Sequence, residues 1–275
     1  MSALPLLGRR IAITGGGRGI GLATAKTLQA RGATVIIGDV DGESAIAAAT
    51  AIGPGTEAYP VDVSDYDSFA LFHKQATADA PLDVLINNAG IMPIGGFLDQ
   101  SAATHRRAVE INVLGCLNGM HVALPAMTQR GHGHIVNIAS SAGKTPVPGG
   151  LTYCGTKAAV IALTETARVE YDQTGVEFTC VMPSFTNTEL IAGTSGLRLI
   201  PTAQPNDVAS AIADTVANPV NDIFVPRIIG PILFSQPLMG RRLRDAINRR
   251  LGAYRTFLDF DSHARAQYQR RIDES

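Results

Sequence analysis

The segment RIAIT at positions 10–14 is a short β-branched and apolar run. It meets the glycine cluster of TGGGRGIG (14–21) and continues directly into the helical pattern IGLATAKTLQARG. A strand, a glycine-rich turn and a helix in this order are the repeating unit of α/β sheets. The pattern recurs along the chain. Strand-like runs stand at 33–39, 56–62, 83–90, 134–140, 176–183 and 222–226, with helical patterns at 65–79, 102–129, 152–173 and 206–217 between them. Hydrophobicity within the strands is continuous rather than alternating, so both faces are covered, as in a parallel sheet. The expected fold is an open, doubly wound α/β sheet. No internal repeat, low-complexity linker or composition break precedes residue 227 or so, which predicts one domain over 1–227 and a separate tract over 228–275.

Composition narrows the class of function. With 45% hydrophobic and 17% charged residues over 275 positions, the chain reads as a well-packed soluble globule. A formal net charge of −1 argues against nucleic acid as the main partner, since phosphate binding needs a basic surplus. Cys116, Cys154 and Cys180 are sparse and lack metal spacing, which suits a reducing cytoplasm. The start MSALPLLGRR is too short and weakly apolar for a signal peptide, and no apolar run reaches the roughly 18–20 residues that span a bilayer. The expectation is a cytoplasmic protein.

Glycines in the 14–21 loop let the backbone take positive φ and let a pyrophosphate approach without a Cβ in the way. The following helix offers unpaired N–H groups, Ile20 and Gly21 among them, and a partial positive charge to the anion. The strict G-x-G-x-x-G spacing is absent, because Thr24 stands where the third glycine would fall. The pattern is T-G-x-x-x-G-x-G, met by Thr14, Gly15, Gly19 and Gly21. Asp39 closes the second strand eighteen residues after Gly21. A carboxylate there can accept both hydroxyls of an adenosine ribose and repels a 2′-phosphate, which favours NAD over NADP. Arg18, inside the loop, works in the opposite direction. The plain alternative for Asp39 is a solvated strand end or a helix cap. Asp62, with Val63 behind it, can meet an adenine amino group, or else cap the helix that begins near Asp65.

Tyr153 and Lys157 in TYCGTKAAV are four residues apart and share one helix face. The order of TGGGRGIG, NNAG (87–90), Asn112 in INVLG, Ser140 in IVNIASSAG, and Tyr153 and Lys157 in YCGTK resembles the short-chain dehydrogenase/reductase family. Ser140 stands thirteen residues before Tyr153, as that family's spacing requires. The resemblance spans roughly residues 8–226. It implies a Rossmann-type sheet of about seven strands and nicotinamide-dependent interconversion of an alcohol and a carbonyl. It also implies a homodimer or homotetramer built on the long helices around 102–129 and 152–173.

In that family's scheme Tyr153 moves the substrate proton, and Lys157 supports its phenolate and holds the nicotinamide ribose. A phenol titrates near 10, so lowering it by two to three units requires roughly 3–4 kcal/mol, to be supplied by the ammonium and an oxidised nicotinamide. Ser140, at a strand's carboxyl end, can stabilise charge on the substrate oxygen, and the spacing selects it over Ser141. Asn112 is unfavourable in a helix by propensity, and the resemblance makes it the holder of a relay water. Local capping and a helix irregularity are the structural alternatives for these two. Asn88, Ala89 and Gly90 leave room for the adenosine ribose. Pro183 and Thr188 flank the nicotinamide, with Thr188 receiving its carboxamide. Ser184 departs from the family's usual glycine, and its Cβ is expected to shift the backbone there.

His121, His132 and His134 are dispersed without partner carboxylates, so they read as structural and no metal is expected. Cys154 reads as a small buried filler. In the tract after residue 227, Leu243, Ile247 and Leu251 recur at helical spacing opposite Arg241, Arg244, Asn248 and Arg249. This amphipathic helix is expected to pack on the domain, a partner subunit or the cleft; a peripheral membrane contact is the alternative. The apolar stretch from Phe224 to Met239, the PVPGG edge (146–150) and the loop 190–201, with Arg198 its one charge, point to a lipophilic alcohol or ketone of retinoid, steroid or terpenoid type. A non-catalytic dinucleotide sensor is the remaining reading, against which Tyr153 and Lys157 both speak.

Overall fold

The computed structural model describes residues 5–196, 201–235, 240–250, 252 and 254–274. Seven strands form one parallel sheet in the order β3-β2-β1-β4-β5-β6-β7: β1 Arg10–Thr14, β2 Thr34–Asp39, β3 Thr56–Pro60, β4 Val84–Asn87, β5 Gly133–Ile138, β6 Val176–Pro183 and β7 Asp222–Val225. Helices α1 Gly19–Ala30, α2 Gly42–Ile52 and α7 Pro205–Ala217 cover one face. On the other lie α3 Tyr66–Ala76, α4 Ala102–Val109, α5 Gly115–Arg130 and α6 Leu151–Glu170. This is the Rossmann-type sheet the sequence predicts.

The continuous apolar runs exist because successive strand residues alternate faces and both faces are dry. Ile11 and Ile13 of β1 pack with Leu28, Ala45 and Ile212 on the α1, α2 and α7 side. Ala12, between them, points with Leu85 and Ile135 into the opposite cluster, around Phe69, Phe72 and Met120. Strand order reverses between β1 and β4, so the loops after these two strands diverge and leave a crevice at their carboxyl ends.

Three expectations shift in detail. The strand predicted over 83–90 pairs only through Asn87, because the chain then leaves the sheet to pack against the β1 turn. The long helix predicted over 102–129 is α4 and α5 joined by a π-helical turn, Glu110–Leu114. Asn112 sits in that turn, so it is both a helix irregularity and, as shown below, part of the site's framework. The third shift concerns the tract after β7, which forms α8 Ile229–Ser235, α9 Arg241–Arg250 and α10 Ser262–Glu274. α9 is the amphipathic helix of the sequence; its Leu243 is 57% exposed, and the side chains of Arg241, Arg244, Ile247 and Asn248 lie outside the described residues. Leu251, Arg198 and Met239 lie outside the described residues. Further along the tract, Phe257, Tyr268 and Ile272 are all buried. Phe257 joins Met92, Ile94, Ala142 and Tyr153 in a third apolar cluster over the cleft. No helix among the described residues is long and apolar enough to cross a membrane.

Candidate active site

The turn between β1 and α1 is shaped by glycine where nothing larger fits. Gly19 has φ +55°, and a Cβ on Gly21 would lie 2.1 Å from the Gly15 carbonyl oxygen. No side chain caps α1, so its first N–H groups face the crevice with the positive end of the helix dipole. Across the crevice, Asn88 braces the turn by donating to the carbonyls of Thr14 (2.8 Å) and Gly15 (3.0 Å). The Thr14 hydroxyl in return accepts from the backbone N–H groups of Asn88 and Ala89, each at 3.1 Å. Thr14 is therefore a brace behind the site rather than part of its wall.

Asp39 ends β2 buried, with one carboxylate oxygen accepting the Gly17 N–H (2.9 Å) and the other the Asp41 N–H (3.1 Å). Arg18 turns away from it and pairs with Asp41 (2.6 Å) and Ser44 (3.0 Å). Asp62 lies two residues beyond the end of β3. It accepts from the Ser64 N–H and hydroxyl (2.9 and 2.6 Å) and pairs with Arg107 (3.3 Å). Burial pushes the Asp62 carboxyl up, but the Ser64 hydrogen bonds and the Arg107 guanidinium outweigh it and hold the group below its ordinary value. The helix cap considered for Asp62 belongs to Asp65, which accepts from the Ser68 N–H (3.0 Å).

Tyr153 and Lys157 occupy the first turns of α6, both buried, with the Lys157 Nζ 5.9 Å from the Tyr153 ring centroid. Lys157 Nζ donates to the Ile138 carbonyl at the end of β5 (2.7 Å). Gly143 permits this arrangement: a Cβ there would lie 2.7 Å from the Lys157 backbone, so only glycine lets the 3-10 turn after Ser140 press against α6. At the head of that turn the Ser140 hydroxyl accepts the Ala142 N–H (3.1 Å) and donates to the Pro183 carbonyl (3.4 Å), and it lies close enough to the Tyr153 phenol to favour its ionised form. Gly90 lies alongside, where a Cβ would stand 3.1 Å from Asn112 Oδ1 and 3.4 Å from Lys157 Nζ. Both ends of the Asn112 amide are engaged: Oδ1 accepts the Ile91 N–H (2.8 Å), and Nδ2 donates to the Ile91 carbonyl (2.9 Å) and the Thr156 hydroxyl (3.0 Å).

Desolvation governs the electrostatics of the pair. Burial pushes the Tyr153 phenol up, and the Ser140 hydroxyl only partly opposes it. Burial also lowers the Lys157 ammonium to about 8. The lysine alone therefore does not bring the phenol down, because desolvation acts on both groups at once. Cys154 fits the filler reading: burial raises its thiol, and it packs at the edge of the third apolar cluster. His134 lies buried in the sheet with Nε2 2.9 Å from the Thr179 hydroxyl, and burial lowers it to about 4. It is a neutral structural residue.

Every site residue singled out from the sequence, apart from Thr14 and Asn112, lines one cavity of about 530 Å³. Its nucleotide half is the β1 turn, Asp39 and Asp62. The other half is largely apolar, walled by residues the sequence reading missed, notably Met92, Phe185, Phe257 and Tyr268. Gly149 and Gly150 of the PVPGG edge receive Phe257, since a Cβ on either would come within 2.7 Å of it. Arg265, Tyr268 and Ile272 recur at i, i+3 and i+7, a helical stripe that could have marked α10 in the sequence. Ser184 also lines the cavity; its hydroxyl oxygen is buried without a hydrogen-bond partner among the described residues.

Residues 9–195 match the model of the short chain dehydrogenase family. The chain belongs to that family. Among relatives of this short-chain dehydrogenase, the protein named "Probable oxidoreductase EphD" of Mycobacterium tuberculosis is 35% identical over 190 residues, 67% of this chain. The chain spans only 32% of that relative's length. Human estradiol 17-beta-dehydrogenase 11 is 29% identical over 251 residues, covering 89% of this chain and 83% of its own. A solved short chain dehydrogenase/reductase family protein superposes with a TM-score of 0.73 at 35% identity, over 80% of this chain and 96% of that one.

Proposed function

We propose that this short-chain dehydrogenase interconverts a lipophilic secondary alcohol and its ketone with NAD, using Tyr153 as the proton-transfer group. The carrying observation is the convergence of Tyr153, Ser140 and Lys157 at the floor of a cavity whose other end is a glycine turn beside a buried carboxylate. The residues fit a dinucleotide: Gly21 leaves space that a Cβ would fill, α1 presents uncapped N–H groups, and Asp39 is positioned to accept ribose hydroxyls. Anchoring of Arg18 by Asp41 removes the one loop cation that would favour a 2′-phosphate, which supports NAD over NADP.

When bound, NAD supplies the acceptor for the hydride that leaves the alcohol carbon. The chain's own residues handle the rest. Tyr153 takes the hydroxyl proton in oxidation and returns it in reduction. Ser140, beside that phenol, holds the substrate oxygen and stabilises charge developing on it. Lys157 supports the phenolate form and reaches the nicotinamide ribose, while Asn112 fixes the Ile91 backbone beside it. The apolar wall excludes water and suits a lipophilic substrate; estradiol, named for one relative, is of that kind. Pro183 and Thr188 form the nicotinamide side of the wall.

The test is reduction of NAD and of NADP across a panel of lipophilic secondary alcohols, with Tyr153→Phe beside the wild type. Turnover with NAD that the variant loses is the expected result. Equal rates in both proteins would overturn the mechanism, and a preference for NADP would overturn the role of Asp39.

A further inference from the structure

α10 places a second phenol in the cavity that holds Tyr153. Tyr268 is 9% exposed and lines the cavity, and it lies near enough to Tyr153 for the two to interact electrostatically. Its Oη accepts the Met92 backbone N–H at 2.9 Å, which leaves its own O–H to donate. Packing of the ring alone would be served by phenylalanine, as at Phe257 in the same wall.

The residue that holds this phenol is unusual in its own right. Arg265 is 1% exposed and the largest fully buried side chain described. Its guanidinium donates to the carbonyls of Leu190 (2.9 Å) and Ala192 (3.3 Å) in the loop after β6, and to Met92 in the loop after β4. It also stacks over the Tyr268 ring at 4.6 Å. One buried cation therefore joins three separate walls, and Tyr268 is pinned at their junction. A buried charge is costly unless its hydrogen bonds are met, so an arrangement of this kind sets geometry at the expense of easy packing. Arg271 adds a second tie from the same helix, to Glu189.

We propose that Tyr268 is a substrate-recognition residue, donating its O–H to a second oxygen of a lipophilic substrate whose reacting oxygen is held by Ser140 and Tyr153. This rests on the reaction proposed above and narrows its substrate to apolar diols and hydroxyketones. Arg265 is the positioning residue that fixes the phenol. The physical reason for selectivity is that a buried donor left unpaired penalises the analogue lacking the second oxygen, whereas an apolar wall discriminates weakly.

The experiment compares cyclohexanol with cyclohexane-1,2-, -1,3- and -1,4-diol as substrates of the full-length protein with NAD. Calorimetry of the same ligands with the NAD-bound protein runs in parallel. Wild type is expected to favour at least one diol over cyclohexanol by about tenfold or more in kcat/KM, and Tyr268→Phe to erase most of that preference by lowering the diol's kcat/KM several-fold more than that of cyclohexanol. Ile272→Ala, which thins the same wall without removing a hydroxyl, should weaken all four alike. Arg265→Lys keeps the charge but loses the planar fork, and should raise KM for the favoured diol more than it lowers kcat. Equal losses for mono-ol and diol in Tyr268→Phe overturn the proposal, as does a wild type without diol preference. Diol binding without turnover, lost in Tyr268→Phe, would uphold Tyr268 while sinking the reaction. Absence of both binding and turnover overturns the substrate class.

Discussion

Asp39 and Tyr268 are both buried polar side chains of one cavity, yet different kinds of structure hold them. Asp39 ends a central strand, its backbone fixed by ladders to β1 and β3, and it bonds to backbone N–H groups two and 22 residues away. Tyr268 lies on a helix outside the sheet and reaches a partner 176 residues away through a single hydrogen bond and the Arg265 clamp. The nucleotide half is thus a by-product of folding the sheet. The substrate half must be assembled by docking a late segment onto finished loops. Elements of the second kind open at lower free energy than the sheet they cover, so exchange of substrate is expected to proceed through α10 while the nucleotide half stays closed.

The largest expected effect lies at the junction of the halves. Tyr153→Phe should lower kcat by about 10²–10⁴-fold with NAD affinity nearly unchanged, read by steady-state rates beside calorimetry of the cofactor. The buried pair also sets a pH profile. Burial holds the Lys157 ammonium down to about 8 and the Tyr153 phenol up, so without the cofactor the lysine is the first of the two to lose its proton. Alcohol oxidation uses the phenolate and should climb with pH, and ketone reduction uses the phenol and should fall. A flat profile in both directions would remove Tyr153 from the proton path.

Lys157 carries the next effect, this time on stability. Its value falls from 10.5 unfolded to about 8 folded, so between these limits the unfolded chain binds more protons and stability rises with pH. Relative to Lys157→Met, wild type should gain about 3 kcal/mol between pH 7 and pH 10.5, measured by denaturant melts at each pH. A constant difference would place the ammonium in water rather than in the core.

Two smaller effects separate the halves directly. Gly21→Ala forces a Cβ against the Gly15 carbonyl and should cost about 1–3 kcal/mol, weakening NAD binding without changing KM for the alcohol at saturating cofactor. Phe257→Ala should do the reverse, raising that KM about three- to tenfold with NAD affinity intact and speeding amide exchange only in 254–274 and the loops it covers. Crossed results, with either substitution moving both constants, would show that the halves are one cooperative unit.

Legibility followed the same division. The strands could be read because burial on both faces leaves nothing but apolar residues, and the β1 turn because only glycine meets its geometry. Asp39 is legible from its place at a strand end after the glycine turn, and Ser140, Tyr153 and Lys157 from the order and spacing of motifs that resemble the family's. Asp62 was harder: its carboxylate is committed to Ser64 and Arg107, and Arg107 stands 45 residues away on α4. Gly143 went unnoticed because its necessity comes from the Lys157 backbone, which no local pattern reveals. Leu243, Ile247 and Leu251 drew attention as an amphipathic stripe, yet Leu243 is exposed and the less regular tract around Phe257 and Tyr268 covers the cleft. Periodicity states that a face is apolar; it does not state what that face meets.

Fold class, family and the positions of the Tyr153–Lys157 pair and the glycine turn were thus written in the chain, because each depends on residues within a few positions of one another along regular elements. The depressed ammonium, the raised phenol, the clamp of Arg265 and the wall carrying Tyr268 arise only once distant segments exclude water together. Desolvation is a property of the assembled interior, and no single stretch of sequence contains it.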